Sequence, residues 1–240
     1  MATAATQYVC LVCGYNMIGE CPDACPFCGA RRAQIITQEE CAQQFRVHAT
    51  PVTGRVIHLG SLPALGYEHA SYLVKTPNRR FWIDCPCAFD ETLDSVDVIT
   101  FTHKDFMGAS NLYRDRFGAQ VWINELDAVH PLARPFPVDR NFSGYFSEDG
   151  LEAHHVGGHS PGFTVYMVDS VLFVCDLLYF RNNHLIFNPH GPKHATREAS
   201  TTLVKLLRAE GRAFSHVCDV NGATPYGEWE AAFTHLLGKT

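Results

Sequence analysis

Two short cysteine motifs near the amino end constrain the fold of this chain more than any other feature. The sequence contains Cys10-Leu-Val-Cys13-Gly and Cys25-Pro-Phe-Cys28-Gly, two CxxCG knuckles. The glycine after each second cysteine permits the positive φ that such turns require. Four thiolates are soft ligands for a tetrahedral ion, which is typical of zinc or of a single iron. We therefore predict a metal site of four cysteines, in which Cys21 takes no part because it lies outside both motifs.

The cysteine content is interpreted as metal binding and not as disulfide bonding. Five of the 10 cysteines lie between residues 10 and 28. The opening residues contain neither the basic nor the apolar stretch of an export signal, so we expect a cytoplasmic protein in a reducing compartment. Residues 1–33 hold too little apolar material for a core of their own, and a unit this small usually needs a metal to fold.

The charge balance excludes two classes of partner. The 240 residues include 19 Lys and Arg against 25 Asp and Glu, for a net charge of −6. Nucleic acid and anionic membrane surfaces attract basic proteins, so neither is expected as a partner. No apolar run approaches the roughly 18 residues that a membrane-spanning helix needs. The 46% of hydrophobic residues are ample for a packed core.

Residues 7–33 resemble a rubredoxin-like domain of the short type found in rubrerythrins. Besides the four cysteines, the matching residues are Tyr8, Gly14, Tyr15 and Pro26. The resemblance implies one iron that cycles between ferric and ferrous forms as an electron carrier, held by Cys10, Cys13, Cys25 and Cys28. The alternative is a structural zinc ribbon, because thiolate geometry alone does not separate the two metals. The tyrosine beside the first knuckle favours iron.

The composition changes near residue 45 and divides the chain in two. Residues 1–44 comprise the cysteine-rich unit and a connector, with residues 34–47 interpreted as a polar linker or short helix, and residues 45–240 form a larger domain. Hairpins are predicted for Tyr72–Lys75 with Phe81–Asp84 and for Thr164–Val168 with Val171–Cys175. The other predicted elements are strands Asp97–Thr102, Gln120–Ile123, Leu151–Val156 and Phe214–Val220, a helix Ala109–Phe117 before Gly118, a helix from an N-cap at Thr196 to Gly211, and a last helix with Trp229, Phe233, Leu236 and Leu237 on one face.

Histidines and aspartates recur at the ends of these strands. The segments are Phe81-Trp-Ile-Asp84, Thr102-His103-Lys-Asp105-Phe-Met-Gly108, Gly158-His159-Ser-Pro-Gly162, Cys175-Asp176-Leu-Leu and Asp219-Val-Asn221-Gly222. Their order resembles the metallo-β-lactamase superfamily over about residues 50–240. The resemblance implies a fold of the α/β class, an αββα sandwich, preceded here by the small rubredoxin-like unit with its four cysteines.

The resemblance implies one metal in this domain, although the superfamily commonly binds two. His103, His159 and Asp176 match ligands of the first metal. Asp105 takes the place of a histidine at that position. The ligands of the second metal are replaced by Met107, Gly108 and Asn221. The ligand set implied for the remaining metal is His103, Asp105, His159 and Asp176.

The ligand set favours iron. Two histidines and a carboxylate form the facial triad of non-haem iron oxygenases, and a further carboxylate makes the site harder, which favours iron or manganese over zinc. Persulfide dioxygenases bind one iron through a triad that matches His103, His159 and Asp176, and flavodiiron proteins carry a carboxylate at the position of Asp105. Asp105 is therefore predicted to be a fourth ligand or a base.

Other histidines lie close to these motifs in the sequence. His155 is predicted to add a ligand or a contact next to the metal, with a packed or solvated strand residue as the alternative. Three more histidines follow Asp176 on one loop, where one could replace a lost ligand or donate a proton: His184, His190 and His194. A polar surface loop is the alternative for these three.

The combination of the two parts favours redox chemistry. A hydrolase has no use for an electron carrier on its own chain, whereas an iron site that reduces O₂, NO or a sulfur species does. We expect a mononuclear non-haem iron enzyme with a small-molecule substrate and a redox protein or reductase as electron donor. The alternatives are a metal-dependent hydrolase of the glyoxalase II or thioesterase type, and a non-catalytic electron-transfer or assembly protein on a scaffold that has lost its chemistry.

Overall fold

The cysteine-rich unit begins the chain as a small antiparallel sheet. The structure, a computed structural model, describes residues 6–105, 107–182 and 184–238, so Phe106 of the histidine motif lies outside it. Strands β1 (Gln7–Cys10), β2 (Asn16–Ile18) and β3 (Ile35–Thr37) pair in the order β2-β1-β3. Helix α1 (Gln38–Gln44) follows, and a capping box of Thr37 and Glu40 satisfies amide groups of its first turn.

The first large sheet has seven strands in the order β10-β9-β8-β7-β6-β5-β4. These strands are β4 (Arg46–Pro51), β5 (Val56–Leu62), β6 (Ser71–Lys75), β7 (Arg80–Ile83), β8 (Val98–Thr100), β9 (Gln120–Asn124) and β10 (Arg140–Phe142). Strands β4 to β7 form an antiparallel meander, and β7 to β10 pair in parallel. Two helices follow parallel strands, α2 (Ser110–Phe117) and α3 (Glu125–Ala128).

The second large sheet has six strands in the order β11-β12-β13-β14-β17-β18. The strands are β11 (Tyr145–Glu148), β12 (Leu151–His155), β13 (Thr164–Val168), β14 (Val171–Cys175), β17 (His216–Asp219) and β18 (Gly222–Pro225). A separate hairpin of β15 (Leu178–Arg181) and β16 (His184–Phe187) precedes helix α4 (Lys193–Glu210), and helix α5 (Tyr226–Gly238) ends the described chain. None of the described helices combines the length and apolar character that a membrane crossing requires.

The two sheets pack face to face, with helices on both outer surfaces. Neighbouring strand residues point to opposite faces, so Phe81 packs with Tyr166 and Phe173 between the sheets, while Trp82 faces outward against Tyr113 of α2. Trp229 of α5 covers the outer face of the second sheet together with residues of α4. This αββα arrangement confirms the predicted fold.

Several local predictions are confirmed and one is wrong. Both predicted hairpins form, and Gly118 and Gly211 end their helices in the left-handed conformation. Thr196 is not the N-cap of α4, because this helix already begins at Lys193 behind Pro192. The Thr196 hydroxyl donates to the Pro192 carbonyl oxygen at 3.1 Å, an acceptor within the first turn that removes the need for a capping role.

A buried network of side-chain amides joins the cysteine-rich unit to the sandwich. Asn16 donates to the carbonyl oxygen of Cys87 at 3.0 Å, and Gln38 donates to the same oxygen at 2.7 Å. Gln7 donates to the Asn16 side chain at 2.9 Å and contacts the carbonyl oxygen of Gly108 at 3.3 Å. Since Gly108 ends the histidine motif, the network ties the cysteine-rich unit to the loop that carries the first predicted ligands of the sandwich domain.

Replacing Asn16 is expected to destabilise this contact. Asn16→Leu keeps the branched shape of the side chain but removes its hydrogen bonds with Gln7, Gln38 and the Cys87 carbonyl oxygen, at a cost of about 2 kcal/mol. The melting temperature should fall by roughly 4–8 °C in a chain of this size, which thermal unfolding followed by circular dichroism will measure. Asn141→Leu, at an exposed position of β10, is the control. Equal melting temperatures for the two variants would contradict the assignment of the network as stabilising.

Candidate metal centres

The four predicted cysteines converge on one point. The Sγ atoms of Cys10, Cys13, Cys25 and Cys28, which we call the four-cysteine site, lie within 4.8 Å of one another. Each knuckle closes with an amide-to-carbonyl hydrogen bond, from Gly14 to Cys10 at 2.8 Å and from Gly29 to Cys25 at 2.9 Å. Both glycines have positive φ, +79° and +74°, as the turns require.

The thiols of the four-cysteine site lie close enough to change one another's ionisation. The Sγ atoms of Cys13 and Cys25 lie 3.8 Å apart, and those of Cys10 and Cys28 lie 3.7 Å apart. The hydrogen bond from Cys13 lowers the pKa of Cys25 to about 5, and the same bond raises the pKa of Cys13. A bound ion would replace the shared proton, because only thiolates act as ligands. The donor set fits zinc and iron alike.

The second cluster joins residues from three separate loops. His103 and Asp105 follow β8, His159 lies between β12 and β13, and Asp176 comes directly after β14. One ligand atom from each of these four residues, which we call the His/Asp centre, lies within 4.8 Å of the other three. The parallel strands β8 and β9 and the paired strands β14 and β17 end at this edge of the sandwich, which explains how distant motifs meet.

Both carboxylates of the His/Asp centre face both imidazole rings. Asp176 Oδ2 lies 3.3 Å from His159 Nε2 and 3.5 Å from His103 Nε2. Asp105 Oδ2 lies 3.0 Å from His159 Nε2 and 3.7 Å from His103 Nε2. The four side chains are between 1% and 8% exposed, so the centre is shielded from bulk water.

Further hydrogen bonds hold the rings of the two histidines. Nδ1 of His103 lies 2.9 Å from the Thr102 hydroxyl, which in turn donates to the buried carboxylate of Asp84 at 2.9 Å. Nδ1 of His159 lies 2.8 Å from the side-chain nitrogen of Asn188. These contacts hold both rings with their Nε2 atoms directed at the two carboxylates. The Thr102 hydroxyl can accept from Nδ1 of His103, as the partner of a metal-binding histidine does, whereas the Asn188 nitrogen is itself a donor to Nδ1 of His159.

The charges of the centre are balanced in a way that suits a cation. Burial opposes ionisation of Asp105 and Asp176, but the facing histidines hold the pKa of both carboxyl groups well below the usual range. The ammonium group of Lys104 contacts the other oxygen of Asp105. Nε2 of His103 is buried and makes no hydrogen bond within the described residues. The Asp176 and Asp105 oxygens lie 3.5 and 3.7 Å from this nitrogen, longer than a good hydrogen bond, and an ion between the three atoms would bind them all, so the residues fit a bound metal.

Metal affinity of the His/Asp centre should depend on pH. Burial alone would lower the pKa of His103, but Asp176 and Asp105 outweigh it and raise the pKa to about 9. The imidazole must lose this proton to bind an ion, so affinity should rise about tenfold per pH unit between about pH 7 and 9 and then level off. Competition with a chelator, with the four-cysteine site already filled, will measure it.

The metal-free protein should respond to the same pH change in the opposite direction. The raised pKa of His103 means that the imidazolium stabilises the metal-free fold below about pH 6.5, and this contribution is lost as the pH rises through about 9. Its melting temperature should therefore fall over the range in which metal affinity grows. A metal affinity of the His/Asp centre that does not change with pH would contradict the release of a proton from His103 on metal binding.

Three residues stand where the resemblance predicts that the ligands of a second metal are lost. Met107 is fully buried, and a Cβ on Gly108 would lie 2.4 Å from the Cys85 carbonyl oxygen, so no side chain fits there. Asn221 is exposed on the turn after β17. Four other histidines were predicted as possible ligands or neighbours of the metal: His155, His184, His190 and His194. Among the described residues, none of them belongs to the His/Asp centre. His155 Nε2 instead lies 2.8 Å from the Pro161 carbonyl oxygen, and its predicted role stays a prediction.

His69 is a neighbour of the centre that the sequence motifs did not reveal. It lies just before β6, and its Nε2 is 3.6 Å from Asp176 Oδ2. Its ring stacks on that of His103 with 5.6 Å between centroids. In the sequence, His69 is marked only by its place just before a predicted strand, and no motif surrounds it.

A third group, Glu152, His154 and Glu210, is also close enough to hold an ion. Arg212 pairs with both of its carboxylates, at 2.7 Å from Glu152 and in contact with Glu210. The guanidinium already supplies the positive charge that these carboxylates need, so the group is an ion-pair network.

Comparison with solved structures identifies the class of the fold, whereas comparison of the sequence with families and curated proteins finds no match. No known family model matches the sequence, and no curated protein matches it either. The structure, in contrast, has many similar solved structures. The chain has the metallo-β-lactamase fold.

Three of the similar structures illustrate the extent of the likeness. A metallo-β-lactamase from Pontibacter korlensis superposes with a TM-score of 0.58 at 17% identity, covering 79% of this chain and 99% of that one. One from Erythrobacter litoralis gives 0.62 at 12%, covering 81% and 97%. An archaeal superfamily protein from Sulfolobus tokodaii gives 0.52 at 16%, covering 72% and 81%. At these identities the likeness concerns the fold alone.

Proposed function

We propose that this chain is a redox metalloprotein in which a rubredoxin-type iron at the four-cysteine site feeds electrons to a single non-haem iron at the His/Asp centre. The observation that carries the proposal is a shared loop. The segment between β5 and β6 packs against the first cysteine knuckle at one end and contacts the His/Asp centre at the other. The two candidate metal sites are thus neighbours across one short stretch of chain.

The loop is pressed closely against the knuckle. Gly66 has a φ of +63°, and a Cβ there would lie 2.5 Å from the Val12 carbonyl oxygen and 2.9 Å from the Cys13 amide nitrogen. A Cβ on Gly14 would lie 3.2 Å from the Leu65 carbonyl oxygen. Three residues after Gly66, the ring of His69 reaches Asp176. Because electron tunnelling weakens steeply with gaps between packed atoms, this continuous contact favours transfer between the sites.

The burial of the centre favours a small substrate. Its four side chains are at most 8% exposed, which suits O₂, NO or a small sulfur species better than a bulky ester. Exclusion of water also strengthens each electrostatic contact within the site and limits side reactions of reduced species. The electron donor from outside would be a redox protein or reductase that reaches Cys28, the exposed member of the four-cysteine site. The free thiols are consistent with the cytoplasm as the proposed location.

Each residue of the centre has a proposed role. When bound, iron supplies the one-electron chemistry and open positions for a small molecule. His103, His159 and Asp176 would hold the ion, and Asp105 would serve as a fourth ligand or as a base. Lys104 neutralises the outer oxygen of Asp105, while Thr102 and Asn188 fix the two imidazole rings. Manganese or zinc would fit the same donors, but two carboxylates favour the harder ions.

A hydrolase of the glyoxalase II or thioesterase type is the competing function. Such an enzyme needs an ion that lowers the pKa of a water molecule to about 7. The usual pair of ions would lack ligands here, since Met107 is buried and apolar and Gly108 has no space for a side chain. A non-catalytic role would leave the His/Asp centre without metal, which metal analysis detects.

Rapid mixing of reduced protein with O₂ or NO tests the proposal. In wild type, the ferrous iron of the four-cysteine site should return to its red ferric form as the acceptor takes the electron at the His/Asp centre. In His159→Ala, which lacks the ion of the His/Asp centre, the iron of the four-cysteine site should reoxidise at least about tenfold more slowly. Equal rates would mean that the centre accepts no electrons, and thioester hydrolysis that disappears in His159→Ala would establish the hydrolase.

A further inference from the structure

We propose that His69 is a ligand-recognition residue of the His/Asp centre, which donates a hydrogen bond to the small anion or diatomic molecule that binds the ion. The inference rests on the proposed occupancy of the centre by iron. It adds a fifth residue that no sequence motif marks, and it assigns the side of the centre from which the small molecule is bound.

His69 lies beside the turn at which the resemblance predicts a fourth histidine. The resemblance to the superfamily predicts a fourth histidine where this chain has Asn221. Ala70, next to His69, donates to the Val220 carbonyl oxygen at 3.1 Å. The Tyr72 hydroxyl contacts the carbonyl oxygen of Gly222 at 2.8 Å, which continues the same contact. The start of β6 therefore lies directly beside the Asn221 turn and delivers an imidazole to that side of the centre.

The position of His69 suits contact with a bound molecule better than binding of the ion itself. Its Nε2 lies 3.6 Å from Asp176 Oδ2, a distance close to those of His103 and His159. It does not, however, belong to the set of four atoms that are all within 4.8 Å of one another. A group adjacent to the ligand set, but outside it, is placed to contact a small molecule that binds the ion on the side of Asp176.

The charges around the centre explain why a hydrogen bond from His69 would favour binding of a small anion. The carboxylates of Asp105 and Asp176 repel an anionic or partly reduced ligand. On the second-metal side, Met107 is apolar and Gly108 has no side chain, so neither offers a side-chain donor. The side chain of His69 is only 11% exposed, so a hydrogen bond from it is formed away from competing water and is correspondingly strong.

Azide binding to the ferric protein is the test. Azide is a small linear anion that binds open positions of ferric iron and produces a charge-transfer band that can be titrated. The variants are His69→Leu, which removes the donor, and His69→Gln, which restores an N–H at similar length. His58→Leu, a histidine on the neighbouring strand β5 that packs against Tyr72, is the matched control.

The expected result separates recognition from metal binding. Iron content of the centre should stay at the wild-type level in all variants. The azide Kd should rise at least about tenfold in His69→Leu, equivalent to about 1.4 kcal/mol, recover in part in His69→Gln, and stay unchanged in His58→Leu. Unchanged azide affinity in His69→Leu would overturn the inference, and loss of iron from both His69 variants would make His69 a ligand instead. A wild-type protein that takes no iron at the centre would fail the proposed function itself.

Discussion

The His159→Ala variant is expected to lose the ion of the His/Asp centre while the ion of the four-cysteine site stays bound. His159 contributes the Nε2 atom that lies closest to both carboxylates, 3.0 Å from Asp105 and 3.3 Å from Asp176. Changes around a ligand typically cost about 10- to 100-fold in metal affinity, so loss of a ligand itself should cost more than about 100-fold. Metal analysis after dialysis against a chelator should find the metal of one site instead of two.

The control for this variant is His155→Ala. His155 lies four residues earlier and its ring contacts the same loop through the Pro161 carbonyl oxygen, yet it is outside the four-atom cluster. A general disturbance of the loop would therefore affect both variants, whereas loss of a ligand affects His159→Ala alone. Full metal content in His159→Ala would contradict the assigned ligand set. Two ions in the wild-type sandwich domain would contradict the single-metal prediction.

Loss of iron from the four-cysteine site should abolish electron delivery without emptying the His/Asp centre. Cys13 is buried and shares a proton with Cys25, so Cys13→Ser removes a soft ligand from the interior of the site. The red colour of ferric thiolate should disappear, and reductive turnover of O₂ or NO should fall at least about 100-fold, because the remaining iron then has no internal electron source. Absorption spectra and steady-state reduction with a protein donor will measure both effects.

Two controls separate electron transfer from folding. Cys21→Ser changes a half-buried cysteine outside the four-cysteine site and should behave as wild type. Zinc in place of iron at the four-cysteine site keeps the fold but carries no electrons, since zinc has a filled d shell. Wild-type turnover in the zinc form would show that electrons do not pass through this site. If the natural protein carries only zinc there, the site is a structural zinc ribbon and not an electron carrier.

Much of the fold could be predicted because its signals are local. The hairpin around Asp169 and Ser170 and the helix ends at Gly118 and Gly211 depend on turn chemistry that neighbouring residues specify. The start of α4 could not be located in the same way, because Thr196 can satisfy its hydroxyl within a helix as well as at a cap. Its position depends on the preceding hairpin and Pro192.

The candidate site was predictable to the extent that its residues sit in motifs. The knuckle spacing alone brings four thiols to one ion, and the structure places His103, Asp105, His159 and Asp176 together as the resemblance implies. His69 escaped prediction, since its approach to Asp176 depends on how β6 lies beside the turn at Asn221. The amides of Gln7, Asn16 and Gln38 resemble ordinary polar residues until the buried network that they form at the Cys87 carbonyl group is known.

The sequence by itself determined the four-cysteine site, because the spacing of the two knuckles and their turn geometry bring four thiols to one point. The order of its histidine and aspartate motifs determined the αββα fold and the single-metal ligand set only through the resemblance to the superfamily. Only the tertiary structure decided that the cysteine-rich unit lies against the loop that carries His69, and that this loop reaches the His/Asp centre. Contacts between distant segments depend on the packing of whole sheets and on buried polar groups that must find partners, and no local pattern in the chain encodes which partners they find.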